Sequence, residues 1–191
     1  MAKKISLVLF LLLVCLGVIG VGGWKIVQRS ILVNAKAPHL VSSPEPGVDF
    51  PFRKLDGTPM HLADTKGKVV FVDLWGTWCI QCVAEMPTVQ TLYNKFRNDP
   101  DVIFLVISRW DSPATVRRYA QRNHFDLPLY TTEDADIPAS MQLKQFPATF
   151  LYAPDGTMMA KHTGAADWST PTVVSYINSL KKTSAGRATV E

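Results

Sequence analysis

A chain of 191 residues that is 47% hydrophobic has room for one domain with a real core and an appendage. Its formal charge of +4 is unevenly placed: five of its 20 bases (Lys3, Lys4, Lys25, Arg29 and Lys36) precede Pro38, and none of its 16 acids does. The remainder is close to neutral and carries no basic run, which argues against a nucleic-acid-binding surface.

Lys3-Lys4 is followed by the charge-free stretch Ile5–Trp24, long enough to cross a bilayer and longer than the apolar part of an ordinary signal peptide. It predicts a signal anchor, or transmembrane helix, over residues 1–24, with cleavage after Gly22 as the alternative. Cys15 then counts as one apolar residue of the span. Bases on both sides leave the positive-inside count undecided, but the short charged tail before the apolar run favours export of the C-terminal domain. Residues 25–47 end in Ser42-Ser43-Pro44-Glu45-Pro46-Gly47 and read as an extended, solvated linker.

From Val48 the punctuation becomes regular. Asp56-Gly57 between Phe50–Leu55 and Thr58–Leu62 predicts a β-hairpin. Lys66-Gly67-Lys68 introduces the apolar strand Val69–Leu74, which reads as central and buried on both faces. Trp75-Gly76-Thr77-Trp78-Cys79-Ile80-Gln81-Cys82 comes next, opening a helix expected from Cys79 to Phe96 and kinked at Pro87. Asp101–Ser108 is a second buried strand, and Ser112-Pro113 caps and starts a helix to Asn123. A short strand at Leu127–Tyr130, a short helix near Ile137–Lys144 and strands at Ala148–Tyr152 and Thr157–Thr163 complete the middle of the chain. Thr170-Pro171 begins a last helix to Lys182, and 183–191 is a loose polar tail. Such alternation predicts an α/β domain over 48–182 with a mixed sheet flanked by helices on both faces.

With Cys15 in the span, only Cys79 and Cys82 remain in this domain, and a domain able to build its own core does not need a structural disulfide. Two thiols separated by two residues at a helix start suit electron-pair transfer. The unpaired N–H groups and positive dipole end favour a thiolate at Cys79, the expected nucleophile, while Cys82 one turn on would be the resolving thiol. Zinc would need further ligands, and the chain has no second Cys-x-x-Cys and no His-x-x-x-His. His39, His61, His124 and His162 are scattered and read as surface or structural residues. Trp75 and Trp78 are expected to shield the sulfur and meet substrate.

Asp73 stands in an otherwise apolar strand. It is either a buried proton relay to Cys82 or a strand-end acid that reaches water or Lys68. Glu85, three residues after Cys82, shares a helix face with it and either tunes a thiol or is a solvated surface acid.

Together these segments resemble the thioredoxin fold and, within it, the membrane-tethered TlpA/ResA/CcmG-like thiol-disulfide oxidoreductases. The likeness spans about Val48–Lys182 and is carried by Val72-Asp73-Leu74-Trp75-Gly76-Thr77-Trp78-Cys79-Ile80-Gln81-Cys82, by Glu85-Met86-Pro87 and by Phe146-Pro147-Ala148-Thr149-Phe150-Leu151. The resemblance implies a cis Pro147 that faces a redox-active Cys79–Cys82 disulfide and offers backbone hydrogen bonds to substrate. It also implies an acid at Glu85 near the active site, a buried acid at Asp73, and no cofactor. The implied setting is the bacterial inner membrane with the catalytic domain in the periplasm. There the domain would reduce disulfides of exported proteins and be recharged by a membrane thiol transporter. Reduction of apocytochrome c thiols, an oxidase or isomerase role, and more remotely a copper-binding chaperone use the same cysteines. Three departures stand out. Ile80-Gln81 replaces the usual proline-containing pair, Phe146 is bulkier than the common valine or threonine, and Asp73 stands where many tethered members have asparagine.

Overall fold

The computed structural model describes residues 36–40, 44–142 and 145–185, together with Gly17, Gly22 and Gly23. Apart from those three glycines the expected anchor over 1–24, with most of the linker and the end of the tail, therefore lies outside the described residues. Among the described residues no helix is long and apolar enough to cross a membrane.

Among the described residues seven strands form one sheet: β1 (Pro51–Lys54), β2 (Pro59–His61), β3 (Val69–Trp75), β4 (Val102–Arg109), β5 (Leu129–Thr132), β6 (Ala148–Tyr152) and β7 (Met158–Thr163). Their order is β2-β1-β5-β4-β3-β6-β7. The neighbours β3, β4 and β5 run parallel, and the remaining pairings are antiparallel. Parallel neighbours need crossovers, supplied by α1 (Ile80–Phe96) between β3 and β4 and α2 (Pro113–Asn123) between β4 and β5; α3 (Pro171–Ala185) closes the chain. The β1–β2 hairpin turns at Asp56-Gly57, where Gly57 takes a φ of 92° that a side chain would resist. This is a thioredoxin-like α/β fold with a mixed sheet.

All seven residues of β3 are buried, and its side chains alternate between two cores. Val69, Phe71 and Trp75 join Met86, Val89 and Leu92 of α1, Val116 of α2 and Val173 and Ile177 of α3. Val70, Val72 and Leu74 join Phe50, Phe52, Leu62, Ile137, Met141 and Phe150 on the opposite face. Helices α1, α2 and α3 thus all contribute to the first core, and among the described residues helical cover on the second is reduced to 3-10 turns. The helix expected near Ile137–Lys144 is replaced by two such turns, Asp134–Asp136 and Ala139–Met141. Pro138 between them has no N–H for a continuing helical ladder.

At the end of the expected linker Pro44, Pro46 and Gly47 are exposed, while Glu45 exchanges backbone hydrogen bonds of 2.9 Å with Met158 and pairs with Lys161 at 2.8 Å, which fastens the segment to β7 at that one residue.

Candidate active site

The site forms where β3 runs out into α1. Cys79 is the N-cap of α1, and its Sγ accepts the N–H of Cys82 at 3.1 Å. The two cysteines are joined in a disulfide with a Cα–Cα separation of 5.2 Å. Their exposures differ: 8% for Cys79 and 0% for Cys82. An incoming sulfur therefore meets Cys79 first, and that sulfur sits among the helix's unsatisfied N–H donors.

Gly76 and Thr77 shape the approach to the cysteines. A Cβ at position 76 would run into the indole of Trp78, so only glycine lets that ring fold back over the loop. Thr77 is fastened by Asp111, whose carboxylate accepts its N–H and its hydroxyl at 2.7 Å each, and also the Ser108 hydroxyl at 2.7 Å. Neither Asp111 nor Ser108 is expected from the sequence, because Asp111-Ser112-Pro113 reads simply as a helix start. Asp111→Ala strands three donors and is expected to lower stability by ~1–3 kcal/mol, measured as a reduced urea midpoint with an unchanged slope.

Trp75 does not serve as expected. It is 0% exposed and packs against Tyr119 at 5.1 Å between ring centroids, so it offers no surface to substrate. It lies on the α1 side of a strand covered on both faces, within the same core as Cys82. Trp78, by contrast, is 45% exposed. Its ring lies 5.0 Å from Trp110 and 5.4 Å from Phe146, and its Nε1–H donates to the Arg109 carbonyl at 3.1 Å. Phe146–Pro147 is a cis peptide bond immediately before β6. Because Ala148 pairs with Leu74, this loop lies beside the end of β3. The Pro147 carbonyl accepts the Gly164 N–H at 2.9 Å, which ties this loop to the end of β7.

Behind the disulfide lie two acids with no exposure, Asp73 and Glu85. Asp73 alternates to the same side of the sheet as Phe71 and Trp75, the α1 side. It reaches neither water nor Lys68. Thr149, its partner across β6, donates its hydroxyl at 3.4 Å to Oδ1, while Oδ2 has no hydrogen-bond partner. Burial pushes the Asp73 carboxyl up to about 7, with the Thr149 hydrogen bond pulling the other way. Glu85 Oε2 accepts the Ala166 N–H and the Trp168 Nε1–H at 3.0 Å each, and Oε1 has no hydrogen-bond partner. Burial, then the negative charge of Asp73, hold the Glu85 carboxyl well above the ordinary range. Glu85 is thus not a solvated surface acid, and its charge is coupled to that of Asp73.

His61 pairs with Asp49 at 3.0 Å, His124 caps α2 in a left-handed conformation, and His162 packs against Trp168.

Comparison with known proteins adds to this geometry. The AhpC/TSA family matches residues 43–161. Thiol-disulfide oxidoreductase ResA of Geobacillus thermodenitrificans is 27% identical over 159 residues, covering 83% of this chain and 85% of that protein. ResA of Halalkalibacterium halodurans is 27% identical over 125 residues, covering 65% and 70% respectively. The solved thioredoxin domain of a thiol-disulfide oxidoreductase from Bacteroides vulgatus superposes with a TM-score of 0.61 at 22% identity, over 72% of this chain and 99% of that one, a likeness of fold.

Proposed function

This chain belongs to the AhpC/TSA family and is a thiol-disulfide oxidoreductase, and we propose from that membership that it works outside the cytoplasm, reducing disulfides of exported proteins. The observation that carries the reading is the disulfide at the start of α1, with Cys79 slightly exposed and Cys82 fully buried. In the reduced protein the Cys79 thiolate attacks one sulfur of a substrate disulfide. A Cys79–substrate bond forms, and the other substrate sulfur leaves as a thiolate. Cys82 then gives up its proton and attacks Cys79 Sγ. This closes the disulfide seen here and releases the second substrate sulfur. Two electrons pass to the substrate, and its two sulfurs each take up a proton.

Asp73 and Glu85 are the groups able to take the Cys82 proton in an interior otherwise closed to water. An acid poised near 7 suits that exchange at neutral pH. Trp78, Phe146 and Pro147 would position the substrate. Restoring the dithiol requires an outside reductant, which we assign to a membrane thiol transporter. The charge-free run Ile5–Trp24 supports anchoring at the bacterial inner membrane.

Trapping tests the reading. Tagged Cys82→Ala protein, isolated from cells that express it, is expected to carry exported proteins disulfide-linked to Cys79 and releasable by dithiothreitol. Capture of cytoplasmic proteins instead would refute the location, and capture of apocytochrome c alone would narrow the substrate to haem-attachment thiols.

A further inference from the structure

Trp110 follows β4 directly and holds a φ of 63°, the left-handed region, which costs a bulky residue about 1–2 kcal/mol. Glycine or asparagine would make the same turn with less strain. The ring is 61% exposed, so burial recovers little of that cost. It nevertheless sits in a group of three rings: 5.0 Å from Trp78 and 6.0 Å from Phe146, with Trp78 and Phe146 at 5.4 Å. The group is held from behind. The Arg109 guanidinium lies 4.9 Å from the Trp110 ring and 4.8 Å from the Phe146 ring, is 5% exposed and is paired with Asp134.

We infer that Trp78, Trp110 and Phe146 form a preformed platform that selects polypeptides with an aromatic side chain beside the disulfide-bonded cysteine, and that Trp110 is its specificity-determining member. The inference rests on the exchange chemistry assigned to Cys79 and names the substrate class it serves. Continuity with that site identifies the occupant. Trp78 immediately precedes Cys79 and Phe146 immediately precedes Pro147, so a chain whose sulfur meets Cys79 lays its neighbouring side chains on these rings. The charges at hand are already engaged, Arg109 by Asp134 and Asp111 by Thr77 and Ser108. The guanidinium behind the rings also opposes a second cation on their faces. That leaves apolar contact as the recognition chemistry, in which an aromatic ring gains edge-to-face and offset stacking that an aliphatic chain cannot make.

Peptides closed by a disulfide and differing only in Phe, Ser or Lys beside one cysteine provide the test. The wild-type protein is expected to reduce the Phe peptide with a kcat/KM about tenfold above that of the Ser peptide. In Trp110→Ala the ratio should fall to about one, and in Trp110→Phe most of it should return. Equal rates with Phe and Ser, or a preference undiminished in Trp110→Ala, would overturn the platform while leaving the exchange reading intact. A preference for Lys would give the platform to a cation instead. No reduction of any peptide would refute the exchange reading itself. Sedimentation of a wild-type dimer that Trp110→Ala dissolves would assign the rings to a second copy and overturn the proposal.

Discussion

Cys79→Ala is expected to abolish insulin reduction, by roughly a thousandfold or more, whereas Cys82→Ala should lose turnover but keep the first chemical step. The asymmetry follows from burial and from the helix. Cys79 keeps 8% of its surface exposed and its Sγ receives the Cys82 N–H, so it is the more accessible of the two and its thiolate is stabilised. Cys82 is enclosed and meets a sulfur only when Cys79 brings one to it. In a single-turnover experiment with a chromogenic disulfide, reduced Cys82→Ala should release one equivalent of thiol and stop as a stable mixed disulfide. Reduced Cys79→Ala should release little. The reverse pattern would exchange the two roles. Wild-type rates in Cys79→Ala would reduce the pair to a structural clasp.

How far the sequence reaches differs between elements. The strand Val69–Leu74 is legible because its run is apolar at every position but Asp73, and the structure places β3 and α1 within a residue of the expected bounds. Ile137–Lys144 misleads because its apolar spacing suits a helix, while the observed turns follow from Pro138 and from docking of Ile137 and Met141 into the second core. Trp75 misleads because it ends a strand covered on both faces, so nearness to a cysteine in the sequence does not bring it to the surface. Spacing puts Glu85 on the face of Cys82, but its burial depends on Ala166 and Trp168, which lie more than 80 residues away in the chain. Trp110, Arg109 and Asp111 give no readable signal. Each acts through a loop contact more than 24 residues distant, with Trp78, Asp134 and Thr77 respectively. Local patterns specify elements; long-range contacts between loops complete the site.

Asp73→Asn should produce the other large effect, and in opposite directions for stability and rate. The unfolded chain releases this proton near 3.8, whereas the folded protein holds it to about 7. Between those values the native state binds more protons than the unfolded one, so wild-type stability falls as pH rises. The favourable contribution is complete below the unfolded value and is lost as pH climbs to about 7, at a slope of up to about 1.4 kcal/mol per pH unit. Asparagine has the same shape and no charge to bury. Urea denaturation from pH 4 to 9 should therefore show a flatter profile for Asp73→Asn, with the variant more stable than wild type at pH 8. Glu85 should respond as well, because removing the Asp73 charge removes one cause of its raised titration. Its ionisation, followed through the Trp168 indole N–H by NMR, should move to lower pH. The rate should suffer where stability gains. Without Asp73 to accept the Cys82 proton, resolution of the mixed disulfide is expected to slow by about tenfold or more at pH 7, and the rise in rate across neutral pH should flatten. A variant that gains stability but keeps the wild-type pH–rate profile would leave Asp73 as a buried charge with no part in the exchange, and would pass the proton to Glu85.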